Sequence, residues 1–391
     1  GPKACSLESF CLYYGGQGAA LDFERLALTR LRAVAGDAAL GAQVERLRDQ
    51  MVYESAAFDL AKLRQLRERQ LEQKSPGVRD NAKFSPGALV DVEYYVQILQ
   101  VQHGKRCPAL RTPRLHEALA ALADSGILTA GEADNLGRAY LFLRRLINGL
   151  RMLRGNALDL FLPTADAEEY AHLARRMGYA QAGGLSPERQ LLVDFETCTA
   201  QVRDFIARHF GRHCLPDPGR GNIADLVLAA EPPLPLRRHV LAGLGFQDPD
   251  RAYANLRKLS GPEAQRADFA RLAVLAADSV HTTPDPDMAL NNWERFVSAL
   301  SSAQEHYRLL SAQPQRLQIL LAVFAGSQFL ADVLVRNPEF LDWVTSPHVL
   351  HGRMDVAAYR QALDEFAGAA AEGWLDAVRR SVAAVPEDRP S

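Results

Sequence analysis

Apolar residues recur along most of the chain at the spacing of a helix. In residues 88–102, the positions of Val92, Tyr95, Val96 and Leu99 follow the i, i+3, i+4 rule. The β-branched residues of this segment would also suit a strand, but the periodicity favours a helix. We find no alternating strand pattern and no Asn-Gly hairpin signal. The sequence therefore predicts an all-α fold.

Capping residues mark where the predicted helices begin and end. Thr129 with Glu132 forms a capping box, Ser186-Pro187 starts a further helix, and Thr112-Pro113 is predicted to be an N-cap followed by proline. Gly36 suits the end of the helix that begins at residue 23. The predicted helices of the N-terminal part are 23–36, 40–74 (one long helix or two stacked ones), 88–102, 130–155 and 188–211.

A change of composition divides the chain. Residues 215–236 contain five prolines and are predicted to be a linker or the edge of a domain. We expect a helical bundle in residues 1–214. A second helical region, with helices of about 10–17 residues joined by short caps, is expected in residues 237–391.

The bulk composition is that of a soluble globular protein. The hydrophobic share is 48%, the charged share is 24% and the net charge is −2, so no basic field favours nucleic acid or an anionic membrane. No apolar run approaches the roughly 18 residues that a membrane span needs. The five cysteines include no C-x-x-C pair, which is typical of free thiols in a reducing cytoplasm.

Asp91 and Glu93 have the spacing of a D-x-E metal site. On a strand they would share a face, but on a helix residues i and i+2 lie about 200° apart and cannot hold one ion. Acidic side chains in the first turn of a helix also interact favourably with the positive end of its dipole, which explains at least one of these two residues. We therefore predict no metal site here.

The other metal candidates are weaker still. The tripeptides at 248–250 and 285–287 are both Asp-Pro-Asp, which is typical of a helix start with an Asp cap and proline behind it. Residues 209–214 offer two histidines and a cysteine, but Gly211 is expected to end the helix between them and no fourth ligand is near. No metal-binding and no catalytic residue is predicted in this chain.

Lys83 lies just before a Ser-Pro-Gly turn and a predicted helix start. It could hold a phosphate through its charge, together with free N–H groups at the start of the helix. It could equally be an ordinary loop lysine, and the residues alone leave both interpretations open.

Residues 81–97 resemble a motif of one enzyme family. The segment "NAKFSPGALVDVEYYVQ" is similar to N-[IV]-K-x-x-x-G-G-[IL]-x-[DE]-[IV]-E-[FY]-x-[VI]-Q of the bifunctional glutamine synthetase adenylyltransferase/adenylyl-removing enzymes (glutamate-ammonia-ligase adenylyltransferases). Ala88 replaces the second glycine and Ala82 a larger aliphatic residue. The matching positions are Asn81, Lys83, Gly87, Asp91, Glu93, Tyr94, Val96 and Gln97.

Two further stretches resemble the same family. The segment "FERLALTRLRAVAGD" at 23–37 is similar to W-E-R-x-A-L-x-[KR]-A-R-x-V-A-G-D, with Phe23 for tryptophan and Ala33 for proline. "NNWERFVSAL" and "LLAVFAGSQFLADVLVRNPEFLDWV" resemble the helices that precede a nucleotidyltransferase domain in this family. The resemblance covers most of residues 1–345.

The resemblance implies an architecture. Enzymes of this family have two halves, each a nucleotidyltransferase domain followed by a helical bundle. The chain resembles the bundle of the adenylyl-removing half, then a linker, then the helices that lead into the adenylyltransferase half. The Gly-Ser, D-x-D and third carboxylate of a catalytic domain have no match. We therefore expect either a piece of a longer enzyme or a natural protein without those domains, inactive by itself.

The resemblance also implies candidate residues. The bundle would pack beside the active site of the first half, where Lys83, Arg25 and Arg32 would face the nucleotide or phosphate. Supporting roles would fall to Glu93, Asp37 and Gly87, with Glu93 orienting the basic residues through a hydrogen bond or ion pair. Mg²⁺ and ATP would bind to the parent enzyme, and no cofactor to this chain.

The implied partners are glutamine synthetase, a PII-type signalling protein and the chain's own nucleotidyltransferase domains. The family removes AMP from a glutamine synthetase tyrosine by phosphorolysis and adds AMP from ATP. The alternative is a non-catalytic helical interaction module that binds glutamine synthetase or a PII-type protein. A relative that uridylylates PII is a third possibility, which the helices at 290–345 disfavour.

Overall fold

The computed structural model describes residues 4–346 except 17, 55–57, 76, 78, 157 and 212–219. Within these residues every regular element is a helix, and the β-type pairing is limited to two isolated bridges. The predicted all-α fold is confirmed. None of the described helices is both long and apolar enough to cross a membrane.

Residues 1–328 form one compact unit. Its described part has sixteen α-helices, joined by 3₁₀ turns at Leu28–Arg30 and Pro108–Leu110 and by a π-helical turn at Gln50–Glu54. The helices are α1 (Leu7–Tyr14), α2 (Asp22–Ala27), α3 (Ala38–Asp49), α4 (Leu60–Lys74), α5 (Leu89–His103), α6 (Leu115–Asp124), α7 (Ala130–Arg154), α8 (Glu168–Arg176), α9 (Pro187–Phe210), α10 (Ile223–Leu228), α11 (Leu234–Gly243), α12 (Pro249–Ser260), α13 (Glu263–His281), α14 (Pro286–Ala299), α15 (Ala303–Ala312) and α16 (Pro314–Gly326).

The predicted caps of α7 and α9 are confirmed. The hydroxyl of Thr129 accepts a hydrogen bond from the N–H of Glu132, whose carboxylate accepts one from the N–H of Thr129. The hydroxyl of Ser186 accepts from the N–H of Arg189 at the start of α9, whose first residue is Pro187. These local signals succeeded because each satisfies donors that the helix itself leaves unpaired.

Three predicted boundaries were wrong. The helix predicted at 23–36 ends at Ala27, and the chain beyond the 3₁₀ turn is extended, since Leu31 already has ψ 130°. The segment 40–74 is neither one helix nor a simple pair, because the π-helical turn follows α3. Thr112 is not the N-cap of α6: the N-cap is Arg114, two residues later, and the Thr112 hydroxyl accepts from the Arg114 N–H.

Helices α5–α9 build the first core. They contact one another in the pairs α5 with α6, α7 and α9, α7 with α6, α8 and α9, and α8 with α9. Leucines dominate the buried side of α7, where Leu143, Leu146 and Leu150 are completely enclosed. This burial, rather than helix propensity, supplies most of the stability of such a bundle.

Helix α13 is the centre of the second set of helices. It contacts α9, α10, α12, α14, α15 and α16. Phe269 of α13 lies between Trp293 of α14 and Tyr307 of α15, with ring centroids 5.7 and 5.0 Å away. The Tyr307 hydroxyl donates to the carbonyl of Leu259, so this buried phenol keeps a hydrogen-bond partner.

The proline-rich stretch at 215–236 contains a buried helix. Within α10, residues 223–227 are all buried, and the helix packs against α9 and α13. Asn222 caps it, with Asp225 closing the capping box. The division into 1–214, a linker and 237–391 stays a prediction.

Residues 329–391 form a second unit, of which 329–346 are described. Helix α17 (Gln328–Arg336) reaches into it and helix α18 (Phe340–Val344) lies within it. Ala331, Leu334 and Leu341 are its buried apolar residues in this part.

Candidate functional site

The loop at 81–88 folds around the side chain of Asn81. Its Oδ1 atom accepts hydrogen bonds from the N–H groups of Lys83 and Phe84, at 3.0 and 3.1 Å. The N–H of Asn81 in turn donates to the Ser85 hydroxyl at 2.7 Å. Such an Asx turn holds the backbone in one conformation without help from a helix or sheet.

A buried ion pair holds the loop from the side of α4. Arg67 donates to the Oδ1 atom of Asp91 at 2.7 Å and to the carbonyl of Phe84 at 2.9 Å. The other carboxylate oxygen of Asp91 accepts from the N–H of Gly87 at 2.6 Å. Asp91 is therefore a structural anchor that joins a helix, the loop and a charged side chain.

A second buried arginine holds the loop from the side of α9. Arg203 donates to both carboxylate oxygens of Asp225, at 2.7 and 2.8 Å, and to the carbonyl of Pro86 at 2.9 Å. Burial alone would lower the pKa of this guanidinium, but the facing carboxylate raises it above its ordinary value. Arg203 is thus a fixed positive charge that connects the loop to α10.

Gly87 has the one backbone conformation in the loop that requires glycine. Its φ is 79°, and a Cβ atom built there would lie 2.2 Å from the carbonyl oxygen of Thr199 on α9. Ala88, at the position of the family's second glycine, has φ −82° and is completely buried. An alanine fits that position without strain, so the departure from the family motif leaves the loop intact.

The start of α5 offers no free N–H groups to an anion. Each peptide N–H from Ala82 to Asp91 already has an acceptor within the protein, and Pro86 has no N–H to donate. The expectation that free N–H groups assist Lys83 is therefore wrong. The side chain of Asn81 and the carboxylate of Asp91 occupy the donors that a phosphate would need.

Lys83 is the charged side chain that the loop presents. Its ammonium lies 5.0 Å from the centroid of the Phe84 ring and forms no ion pair with a described residue. The residue is partly exposed, whereas its neighbours Ala82 and Ser85 are buried. The loop thus holds one cation at its surface on a rigid backbone.

Glu93 points away from Asp91, as the helical spacing predicts. Its carboxylate pairs with Arg30 at 3.2 Å and lies 4.0 Å from Arg144 of α7. A small cavity of about 50 Å³ opens beside it, lined in part by Arg30 and Gln97. Glu93 orients arginines through ion pairs, but these are not the predicted partners Lys83, Arg25 or Arg32.

The structure does not join the three predicted basic residues in one group. Arg25 donates to the carbonyl of Met51 at 2.9 Å, pairs with Asp22 and stacks on the Phe58 ring. Arg32 lies exposed in the extended segment after the 3₁₀ turn. Among the described residues no hydrogen bond or ion pair links either of them to Lys83.

Asp37 and the Asp-Pro-Asp tripeptides act as helix caps. Asp37 accepts from the N–H of Leu40 at the start of α3. Asp248 and Asp285 cap α12 and α14, as predicted. The carboxylate of Asp287 also accepts from the backbone that starts α12, at 2.8 and 3.3 Å. The part of the chain that the structure describes has no group of three His, Cys, Asp or Glu arranged for a metal.

Sequence reasoning missed both arginine anchors. Arg67 lies in a run of polar helix residues and Arg203 in an ordinary amphipathic helix, so nothing local separates them from surface arginines. Their partners are 24 and 22 residues away in sequence. Only the packing of α4, α9 and α10 against the loop reveals them.

Fold and site together define the chain as an all-α protein that presents a lysine on a rigid loop between helices. A family model described as GlnD PII-uridylyltransferase matches residues 58–210, which include this loop. Similar curated proteins are bifunctional glutamine synthetase adenylyltransferase/adenylyl-removing enzymes. That of Xanthomonas axonopodis pv. citri is 32% identical over 384 residues, covering 93% of this chain and 38% of the enzyme.

Two further relatives with the same name cover similar shares. The Corynebacterium efficiens enzyme is 27% identical over 358 residues, 90% of this chain and 34% of the enzyme. The Stenotrophomonas maltophilia K279a enzyme is 32% identical over 357 residues, 88% of this chain and 36% of the enzyme. The chain is therefore homologous, over about nine tenths of its length, to about one third of each of these enzymes, which confirms the resemblance drawn from the motifs.

Proposed function

We propose that this chain forms the central helical part of a bifunctional enzyme that adenylylates and deadenylylates glutamine synthetase. The observation that carries the proposal is the similarity over nine tenths of the chain to enzymes of that name. The chain spans about a third of their length, so the remaining two thirds of each enzyme lie outside the matched segment.

The loop at 81–88 supports a role beside a catalytic domain. Two buried arginines, an Asx turn and Gly87 fix its backbone, and the ammonium of Lys83 is the one strong donor that the loop does not use internally. A lysine held in this way is suited to a phosphate or nucleotide presented by a neighbouring domain. In this proposal Lys83 faces the phosphate of the adenylyl-removing half.

Exposed apolar side chains in the first forty residues support contact with another domain. Leu12 is 79% exposed, Leu21 59%, Phe23 39% and Val34 82%. Exposed apolar side chains that lie on one surface are typical of a face that packs against a partner. In this proposal the first nucleotidyltransferase domain lies next to this part of the chain.

A Mg²⁺ site for nucleotidyl transfer does not fit the described residues of this chain. A metal for nucleotidyl transfer needs converging carboxylates, but Asp91 is bound to Arg67 and Gly87, and Glu93 to Arg30. Asp248 and Asp285 cap helices. In the proposal the metal and the nucleotide are therefore held by the nucleotidyltransferase domains, and the helices supply positioning.

Glutamine synthetase and a PII-type signalling protein are the partners in this proposal, and the cytoplasm is the site of action. The names of the relatives support the first partner. The family model described as a PII-uridylyltransferase supports a connection to PII, since it matches the α4–α9 region. The balanced charge supports neither nucleic acid nor a membrane as a further partner.

The purified chain tests the proposal most simply. With Mg²⁺, ATP and glutamine synthetase we expect no incorporation of AMP, and with adenylylated glutamine synthetase and phosphate no release of ADP. Mass spectrometry of the glutamine synthetase subunit measures both. Turnover in either direction would contradict the proposal, because the chemistry would then belong to residues of this chain.

A further inference from the structure

An open cleft lies between the first core of helices α5–α9 and the second set of helices around α13. Its walls come from α7 and α9 on one side and from α13 and α15 on the other, and its volume is about 820 Å³. Sites for small ligands in proteins have volumes of about 300–1,000 Å³. The cleft is therefore large enough for a molecule of nucleotide size, and it lies away from the loop that carries Lys83.

Three arginines line the cleft. Arg308 of α15 is exposed and forms no ion pair with a described residue. Arg138 pairs with the exposed Asp134 one turn earlier, an interaction of little strength, and donates to the amide oxygen of Asn135. Arg271 pairs with Asp194, whose second oxygen accepts from Tyr179.

The acidic residues of the lining form no ion pair with Arg308. Asp194 is already bound by a guanidinium and a phenol, and Asp268 is the other carboxylate of the lining. Asp134 also offsets Arg138, so Arg308 is the arginine of the lining that has no ion-pair partner among the described residues. Guanidinium groups bind phosphate and carboxylate groups through paired hydrogen bonds.

A buried hydroxyl without a partner lies in the wall of the same cleft. Thr197 of α9 is 7% exposed and lines the cleft, yet its Oγ1 atom has no hydrogen-bond partner among the described residues. The hydroxyl of Thr199, two residues further, donates to the carbonyl of Phe195 one turn before it. A buried hydroxyl left unpaired destabilises a protein, so the Thr197 side chain is explained if a ligand completes its hydrogen bonding.

Amide side chains complete the polar lining. Asn135 of α7 and Gln201 of α9 line both this cleft and an adjoining cavity of about 300 Å³. In that cavity the Nε atom of Arg266 is also buried without a partner. The thiol of Cys198 lies beside Thr197, and burial raises its pKa to about 12, so it is a protonated wall residue and not a nucleophile.

We propose that the cleft between α7, α9, α13 and α15 binds an organic anion of nucleotide size. Arg138, Arg271 and Arg308 hold its phosphate or carboxylate groups, and the hydroxyl of Thr197 with the amides of Asn135 and Gln201 holds its neutral polar part. Because α9 carries Arg203 as well as Thr197, a ligand bound here contacts the same helix that anchors the Lys83 loop. The site would therefore serve regulation rather than chemistry.

Calorimetry with the purified chain tests the site, using ATP without metal, pyrophosphate and citrate as probes. We expect saturable binding of at least one probe. Binding of citrate alone identifies a carboxylate ligand, and binding of ATP or pyrophosphate a phosphate ligand. Arg308→Glu is expected to weaken binding at least about tenfold, since it replaces a charged donor by a repelling acid. Arg238→Glu, the same change on α11 outside the cleft, should leave the affinity unchanged.

Thr197→Val distinguishes an effect on ligand binding from an effect on folding stability. Valine keeps the shape and removes the unpaired hydroxyl, so the unfolding midpoint should stay the same or rise while the affinity for the bound probe falls about fivefold to tenfold. The proposal is overturned if no probe binds at millimolar concentration. It is also overturned if Arg308→Glu and Arg238→Glu weaken binding equally, which would mean that only net charge matters.

Discussion

Gly87 carries the most demanding backbone conformation of the Lys83 loop. The positive φ and the carbonyl of Thr199 act together, because the first excludes most side chains and the second leaves no space for a Cβ atom. The same residue donates its N–H to Asp91. One glycine thus lets the loop, α5 and α9 approach one another.

Gly87→Ala is expected to destabilise the protein strongly. The positive φ alone costs about 1–2 kcal/mol for a residue with a Cβ atom, and the contact with the carbonyl of Thr199 adds to it. Chemical denaturation measures the loss. Gly137→Ala in the middle of α7 is the matched control: its Cβ would meet only ordinary contact, and we expect a gain of about 0.5–1 kcal/mol. Equal stability of Gly87→Ala and the parent protein would contradict this account of the loop.

His306 makes the stability of the second set of helices depend on pH. It is 7% exposed, its Nε2 atom has no partner among the described residues, and burial lowers its pKa to about 4. In the unfolded chain a histidine takes up its proton near pH 6.5. The unfolded state therefore binds more protons than the native state in this window, and stability is lost as the pH falls from about 6.5 to about 4.

His306→Phe is expected to reduce this loss. Phenylalanine keeps the ring that packs 5.2 Å from Phe296 and has no group to protonate. Urea unfolding at pH 8 and at pH 5 measures the difference for each protein. If the free energy of unfolding falls by the same amount between pH 8 and pH 5 in His306→Phe and in the parent protein, other groups cause the acid sensitivity.

At the scale of elements, two buried ion pairs each join a helix to the next helix along the chain. Arg67 joins α4 to α5, and Arg203 joins α9 to α10, while each also donates to a carbonyl of the loop between α4 and α5. The loop is thus held from two sides by charges that cannot reach water. Its position depends on α10, a helix that follows it by more than a hundred residues.

Asp225→Asn tests this connection. It leaves the guanidinium of Arg203 buried without its charged partner, which typically costs about 3–5 kcal/mol. Asp134→Asn removes the carboxylate of the exposed pair with Arg138 and should cost less than about 1 kcal/mol. Thermal unfolding of the two variants gives the comparison, and a similar small effect for both would show that the buried pair does not hold α10 in place.

Local signals predicted the elements better than their connections. Thr129, Ser186, Asp248 and Asp285 were predicted as caps, because a cap is decided by residues within one turn of it. The early end of α2 and the π-helical turn before α4 were not predicted. At Leu31 the carbonyl accepts from Arg48 of α3, so a tertiary contact and not local propensity favours the extended chain there.

The candidate site was predicted only in part, because its contacts too come from residues that are far away in the sequence. Helical geometry correctly separated Asp91 from Glu93, and the motif contains Gly87, whose backbone conformation requires glycine. The supporting role of Gly87 in a phosphate site stays a prediction. The partners of these residues come from distant helices, and the donors of the loop are used up by its own side chains. Neither fact has a signal in a short stretch of sequence.

At the scale of the whole molecule, α9 connects the parts of the compact unit 1–328. It packs against α5, α7 and α8 in the first core and against α10 and α13 in the second set of helices. It also provides Arg203 to the loop and Thr197 to the cleft. A displacement of α9 at the cleft would therefore also move Arg203, which holds the loop that presents Lys83.

The role of Lys83 beside a catalytic domain is the central claim, and steady-state phosphorolysis by the complete enzyme tests it most directly. Lys83→Ala is compared with Lys105→Ala, which removes the same charge from an exposed position just beyond the other end of α5. We expect Lys83→Ala to slow the release of ADP from adenylylated glutamine synthetase and to raise the KM for phosphate about tenfold or more, while Lys105→Ala behaves like the parent protein. An unchanged rate and an unchanged phosphate dependence in Lys83→Ala would contradict the claim.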